Sequence, residues 1–273
     1  RHGKAQHAHA GHKGSYGDVA VLGGESIHRV GAGMGGAAVL AARAALQAGA
    51  GRVYLALLQE NRDPGPELDP VCPELMLRTP QRLTDAALLR DATLVCGCGG
   101  GTAIAPWLPE VLSRAHRLVL DADALNAIAA DAALHPLLRQ RRNRGWTTVI
   151  TPHPLEAARL MGTTTADVMA DRLAAARSLA HQWSVICVLK GSGTVVAAPD
   201  ETPWINATGN ALLATAGTGD VLAGMIGAAL ARGGDTALHA TCRAVAHHGA
   251  LADGWPADQA LVAARLAGAI TPW

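Results

Sequence analysis

The stretch Gly217-Thr218-Gly219-Asp220 opens an apolar, alanine-rich run. Glycines at 217 and 219 leave backbone N–H groups uncovered where a helix begins, and such a helix start attracts anions. Asp220 then has two readings. It is a carboxylate that caps the helix, or a base beside an anion nest that deprotonates a hydroxyl attacking a phosphoryl group. Gly224 and Gly227 continue a small-residue face, so something approaches this helix closely.

Other turns carry candidate groups. Val188-Leu-Lys190-Gly-Ser-Gly-Thr194-Val-Val reads as two apolar strands joined by a glycine turn. It is a plain β-hairpin, or one that sets Lys190 and its amides on a nucleotide phosphate. No GxxxxGK[ST] occurs, so it is not a Walker A loop. Thr151-Pro-His153-Pro-Leu-Glu156 follows a strand. Its prolines fix a strand-to-helix turn, with Glu156 in the first helical turn and His153 placed to touch a substrate. Asp121-Ala-Asp123-Ala-Leu-Asn126 offers either a helix cap at Asp123 or positioning of a metal or phosphate. Gly97-Cys98-Gly99-Gly100-Gly101 implies close backbone approach to a ligand. Cys96 and Cys98, two apart, are a poor chelate, and packing explains them better. Gly31-Ala-Gly33-Met-Gly-Gly36 fits GxGxxG, with Glu60 where a ribose-binding acid would lie. Its glycines do not follow a strand directly, which argues against a dinucleotide-binding fingerprint.

Stepping outward, apolar strands are expected at 18–22, 52–58, 92–96, 117–120, 147–150, 184–189 and 193–198. Helices are expected at 36–48, 104–115, 124–130, 155–161, 166–182, 220–232, 235–252 and 257–267. Strands alternating with helices, several of them continuously apolar, predict a mainly parallel sheet covered on both faces. Ligands then sit beyond the carboxyl ends of the strands, where most of these turns fall. Proline-rich 59–80 reads as an irregular excursion, and 1–14, with His2, His7, His9 and His12, as a flexible lead-in with casual metal binding as the lesser reading. Residues 15–273 form the expected single domain.

Of 273 residues, 49% are hydrophobic, and 23 Lys and Arg nearly cancel 22 Asp and Glu. A net charge of +1 argues against nucleic acid as a partner. No apolar run approaches the roughly 20 residues that span a bilayer. Five cysteines without CxxC spacing point to reduced thiols and a cytoplasmic location.

Taken together, His12-Lys-Gly-Ser-Tyr-Gly17, Gly35-Gly-Ala-Ala through Gly51, Asp121–Asn126, Thr151–Glu156, Lys190–Thr194 and Asn206 through Asp220 resemble the ADP- or ATP-dependent NAD(P)H-hydrate dehydratases of the ribokinase-like superfamily. The resemblance runs from His12 to about Leu251. It implies a three-layer α/β fold without a lid, and repair of hydrated NADH or NADPH by phosphorylation of the ring hydroxyl followed by elimination. It further implies ADP, or ATP, as co-substrate, with Mg2+. Lys190, Gly191, Ser192, Gly193, Thr194 and Gly219 would contact the AMP portion of the nucleotide. Ala37, Gly99, His153 and Asp220 would contact the hydrated dinucleotide. Asp220 would be the base, the amides of Gly217, Thr218, Gly219 and Asp220 would hold the transferring phosphoryl, and Glu156 would be the magnesium-linked acid. A homo-oligomer, in some members a tetramer, is implied, as is a hydrate epimerase, fused or separate. The chain starts at Arg1 rather than Met, so removal of an upstream epimerase domain is one expectation. Gly-Cys-Gly-Gly-Gly at 97–101 departs from the family's more usual Gly-Pro-Gly-Leu-Gly.

A hydroxymethyl-pyrimidine or thiazole kinase of the same superfamily would share Asp220 and the nest, but His153 and the Lys190 hairpin favour the dehydratase. A nicotinamide-dependent oxidoreductase would rest on Gly31–Gly36. A silent nucleotide-binding regulator would not require Asp220.

Overall fold

Successive side chains of the central strands enter two different cores. Val21, Val95, Val119 and Val149 pair in register across neighbouring strands and face one core. Leu22, Leu94, Leu118, Leu120 and Ile150 face the other. A strand buried on both sides must be apolar at every position, which is why the segments read as unbroken hydrophobic runs. The structure is a computed structural model and describes residues 13–59 and 66–272. His2, His7, His9, His12 and Glu60 lie outside the described residues.

The strands are β1 (Asp18–Glu25), β2 (Arg52–Leu58), β3 (Met76–Leu77), β4 (Thr93–Cys96), β5 (Arg117–Leu120), β6 (Thr147–Ile150), β7 (Ile186–Leu189), β8 (Val195–Ala197) and β9 (Trp204–Ile205). They form one sheet in the order β3-β2-β1-β4-β5-β6-β7-β8-β9. Pairing is parallel from β3 to β7 and antiparallel for β7–β8 and β8–β9. Helices Gly35–Gln47, Thr218–Arg232, Ala237–Asp253 and Ala263–Gly268 cover one face. Helices Leu108–Arg114, Asp123–Ala130, Leu134–Asn143, Pro154–Met161 and Arg172–Trp183 cover the other. This is the expected three-layer α/β architecture.

Several expected boundaries change. The helix expected over 104–115 divides into a 3₁₀ stretch, Gly101–Trp107, and an α-helix from Leu108, with Pro106 and Pro109 near the junction. The helix expected over 166–182 breaks at Asp171, whose carboxylate caps the second part by accepting from the Ala174 amide. The helix expected over 257–267 begins at Ala263. The short strands β3 and β9 and the helices Ile27–Val30, Pro80–Leu83, Ala86–Asp91 and Leu134–Asn143 are additions.

Helix Thr218–Arg232 lies against β4 and crosses Gly35–Gln47. A Cβ at Gly227 would come within 2.6 Å of Val95, and one at Gly224 within 2.0 Å of the Ala41 carbonyl. The small-residue face seen in the sequence therefore admits the protein's own helix backbone and strand side chains rather than a ligand. These contacts aim the helix N-terminus at the carboxyl ends of the central strands.

Candidate active site

The chain reverses direction across the sheet between β1 and β4, since β1 is flanked by β2 on one side and β4 on the other. Gly23–Glu25 form the carboxyl end of β1, and beyond the carboxyl ends of β4, β5, β6 and β7 lie Gly97–Gly101, Asp121–Asp123, Thr151–Glu156 and Lys190–Thr194. Crevices at such reversals are the usual ligand sites of open α/β sheets.

Asp121, 2% exposed, is the hub. Its Oδ1 accepts the Thr151 hydroxyl at 2.6 Å and the Lys190 ammonium at 2.8 Å. Its Oδ2 lies 3.7 Å from the Cys98 thiol. The heteroatoms of Cys98, Asp121 and Asp220 lie within 4.8 Å of one another. Burial pushes the Cys98 thiol well above its ordinary range, and the charges of Asp121 and Asp220 add to this. Cys98 is thus a protonated donor between two carboxylates. Cys96, by contrast, belongs to the opposite core, so the two thiols cannot share a metal.

Asp220 occupies the third residue of helix Thr218–Arg232, and no side chain caps that helix. Gly217, at φ +89°, takes the capping position. The carboxylate is therefore not a cap. Burial pushes it to about 6, with Asp121 and Asp123 adding to the rise and Cys98 and Lys190 opposing it. The Thr218 amide donates to the Thr215 carbonyl at 3.3 Å, so it is engaged within the turn rather than free for a phosphoryl oxygen, and its hydroxyl donates to the Leu213 carbonyl at 2.7 Å. His248, buried and held neutral at about 4 chiefly by burial, sets Nε2 3.0 Å from the Thr218 carbonyl. The Gly219 and Asp220 amides stand in the first helical turn, which has no intrahelical acceptors. A Cβ at Gly219 would lie 3.4 Å from the Lys190 ammonium.

Lys190 opposes three nearby carboxylates. Burial pulls its pKa down, but Asp121 and Glu156 outweigh that and raise it, so it stays charged. Glu156 is buried and pushed to about 7 by burial, against the pull of Lys190. It forms a capping box with His153. Its Oε2 accepts the His153 amide at 2.8 Å, while His153 Nδ1 accepts from the Leu155 and Glu156 amides. His153 Nε2 is 3.3 Å from Glu156 Oε1, and burial lowers the imidazole pKa.

Asp123 does not cap its own helix, where the cap position is taken by Ala122 at φ +46°. Instead its Oδ2 accepts the Gly101 amide at 2.8 Å and fixes the β4 turn. In that turn Gly99 sits at φ +57°, and a Cβ there would come within 2.8 Å of the Ala37 methyl. Ala37 and Gly99 are therefore neighbours, and Cys98 links them to Asp121 and Asp220.

The structure thus brings Lys190, Gly219, Asp220, Ala37, Gly99, His153 and Glu156 to the carboxyl end of the central strands. Sequence reasoning missed the Lys190–Asp121 pair, the thiol at Cys98 and the support from His248. Gly31–Gly36 follows helix Ile27–Val30 rather than β1, which removes the geometry of a dinucleotide fingerprint. The arrangement can hold a phosphate at amides and an ammonium, and can take a proton at a carboxylate with an elevated pKa.

The model of the family described as NAD(P)H-hydrate dehydratase matches residues 19–272. An ADP-dependent (S)-NAD(P)H-hydrate dehydratase of Neisseria meningitidis is 43% identical, over 96% of this chain and 84% of the relative. The bifunctional NAD(P)H-hydrate repair enzyme Nnr of Escherichia coli is 38% identical over 89% of this chain, which spans 44% of that protein. Among solved structures, the ADP/ATP-dependent NAD(P)H-hydrate dehydratase of Bacillus subtilis, co-crystallised with ATP and Mg2+, superposes with a TM-score of 0.75 at 31% identity, covering 96% of this chain and 90% of that one. A ribokinase-like superfamily protein of Enterococcus faecalis shares the fold, with a TM-score of 0.76 at 22% identity over 97% of this chain and 89% of that one. The chain belongs to the NAD(P)H-hydrate dehydratase family.

Proposed function

We propose that the chain is an ADP-dependent (S)-NAD(P)H-hydrate dehydratase in which Asp220 is the base. The observation that carries the reading is one cluster: Asp220, pushed to about 6, beside the Lys190 ammonium and the amides of a helix N-terminus. Ala37, Gly99 and His153 hold the hydrated dinucleotide so that its ring hydroxyl faces Asp220. Lys190–Thr194 and Gly219 hold the AMP portion of ADP. The hydroxyl oxygen attacks the β-phosphorus, its proton passes to Asp220, and AMP departs. The amides of Gly217, Gly219 and Asp220 and the Lys190 ammonium offset the charge on the phosphoryl oxygens. The new phosphate ester then breaks at its carbon–oxygen bond. Phosphate leaves, the adjacent ring carbon gives up a proton, and the double bond returns. The water of the hydrate ends in phosphate, so the sum is hydrate plus ADP giving NAD(P)H, AMP and phosphate.

The residues fit a magnesium ion linked through water. Glu156 is buried with both oxygens engaged at His153, and Mg2+ keeps several of its waters. The surrounding acids outnumber the one ammonium, and their donors are hard oxygens, whereas the Cys98 thiol is too soft for this ion. Glu156 would hold it through water, and its charge would neutralise the nucleotide phosphates. The reading also takes the enzyme as a cytoplasmic homo-oligomer working with a hydrate epimerase, fused or separate. Free cysteines at all five positions support the location, and exposed Ile27, Val30 and Met34 support self-association.

The test is incubation of hydrated NADH with ADP or ATP, following return of NADH absorbance and formation of AMP. NADH formed only with a nucleotide supports the reading. No NADH with either nucleotide overturns it.

A further inference from the structure

The turn Lys190–Thr194 is shaped from behind by a residue outside every motif above. Arg172, the first residue of helix Arg172–Trp183, points its guanidinium at the back of the turn. Nη1 donates to the Ser192 carbonyl, and Nη2 to the carbonyls of Leu189 and Lys190 at 3.1 and 3.2 Å. A Cβ at Gly191 would come within 2.9 Å of Nη2, so the guanidinium lies directly against the turn.

A planar trans peptide sets each N–H opposite to the preceding carbonyl. Drawing the carbonyls of Lys190 and Ser192 onto Arg172 therefore turns the amides of Gly191 and Gly193 to the other side. Gly191 at φ +138° and Gly193 at φ +62° permit this, in the manner of an anion nest. Charge follows the same logic. The Lys190 ammonium is neutralised by Asp121 at 2.8 Å. Arg172 makes no ion pair among the described residues, and its buried Nε has no hydrogen-bond partner there. Burial lowers its pKa, yet a guanidinium so lowered remains protonated at neutral pH. The uncompensated positive charge behind this turn is that of Arg172.

We propose that Arg172 is the positioning residue of the phosphate-binding turn, holding the Gly191 and Gly193 amides outward and attracting the nucleotide phosphate through its unpaired charge. This rests on the reading of Lys190–Thr194 as the nucleotide site. The ligand class is an adenine nucleotide bearing at least one phosphate, and the effect belongs to the phosphate rather than to adenosine.

The experiment measures inhibition constants of adenosine and AMP against ADP for the full chain and for Arg172→Met, Arg172→Gln, Arg172→Lys and Lys190→Ala, each checked for folding by thermal unfolding. Arg172→Met and Arg172→Gln are expected to weaken AMP about ten- to hundredfold, the range of a lost charge-assisted contact, and to leave adenosine within about twofold. Arg172→Lys, which keeps the charge but not the three-way fork, is expected to restore part of the loss. Equal weakening of AMP and adenosine, or unchanged AMP affinity in a folded Arg172→Gln, overturns the proposal. Loss of AMP affinity in Lys190→Ala with none in the Arg172 variants overturns Arg172 alone. Unchanged AMP affinity in every variant overturns the nucleotide reading of the turn itself.

Discussion

The Lys190 ammonium and the Thr151 hydroxyl meet on a single oxygen of Asp121, at 2.8 and 2.6 Å. Asp121 is buried and Lys190 largely so, and Lys190 comes from the turn after β7, 69 residues further along the chain. Removing one member of such a pair leaves the other charge unmatched in a low-dielectric site, which typically costs about 3–5 kcal/mol. Asp121→Asn and Lys190→Met are each expected to lower stability by about 3 kcal/mol, given the partial exposure of the lysine. The double variant should recover roughly half of the summed loss, because neither charge is stranded. Urea unfolding of the four proteins checks this. Additive losses would show that the two groups do not interact.

Asp220 links activity to stability. As a base it must be deprotonated, so turnover should fall about tenfold per pH unit below its value of about 6. Asp220→Asn should abolish turnover and largely keep ADP binding. The stability effect has the opposite sense. The folded pKa, about 6, lies above the ordinary 3.8, so the folded state binds the proton more tightly than the unfolded chain. That contribution is complete below about pH 4 and is lost as pH rises to 6. At pH 8 the buried charge is a cost, and Asp220→Asn should be more stable by about 1–2 kcal/mol, discounted from about 1.4 kcal/mol per unit for partial exposure. At pH 4 the gain should vanish. Unfolding curves at both pH values, beside a turnover–pH profile, test the two claims separately.

His153 has two duties that substitution can separate. Its Nδ1 accepts the Leu155 and Glu156 amides and so caps helix Pro154–Met161. His153→Ala should cost about 1 kcal/mol of stability through the lost cap and also raise KM for the hydrate more than for ADP. Asn is itself a strong N-cap. His153→Asn should therefore regain the stability and keep the KM defect. If His153→Asn restores both, the residue is a cap and not a substrate contact.

The sheet was largely legible because a doubly covered parallel strand leaves little choice of residue. Arg117–Leu120 and Thr147–Ile150 coincide with the segments read from the sequence. Helix Leu134–Asn143 escaped notice because Pro136 and the polar run Arg139–Asn143 mask its apolar stripe, although Leu134 and Leu138 are buried. The glycine turns announced the site, since uncovered backbone has a compositional signature. Partnerships between elements do not. Nothing around Asp121 marks Lys190 as its partner, and Arg172 acts on carbonyls, which every residue possesses. Cys98 read as packing, and it is buried, but the tertiary fold alone sets its thiol beside Asp121 and Asp220.

Gly224 tests whether the helix carrying Asp220 is placed by its crossing with Gly35–Gln47. Taken as an isolated helix position, Gly224→Ala should stabilise by about 1 kcal/mol, because alanine favours the helix. Here the new Cβ would lie 2.0 Å from the Ala41 carbonyl oxygen and 2.8 Å from its carbon, backbone atoms that cannot rotate away. Relief requires the two helices to separate, and Met225 and Ile226 beside the site are fully buried. Overpacking of this kind costs about 1–3 kcal/mol or more, so the clash outweighs propensity and the net change is a loss. Separation also carries Asp220 away from Ala37 and Gly99, which are fixed to the other helix and its neighbouring turn. A displacement near 1 Å at a reacting group can cost about a hundredfold in rate. Gly224→Ala should therefore lower the unfolding temperature and reduce kcat more than ADP affinity. A stabilised, fully active variant would show that the crossing yields without moving the site.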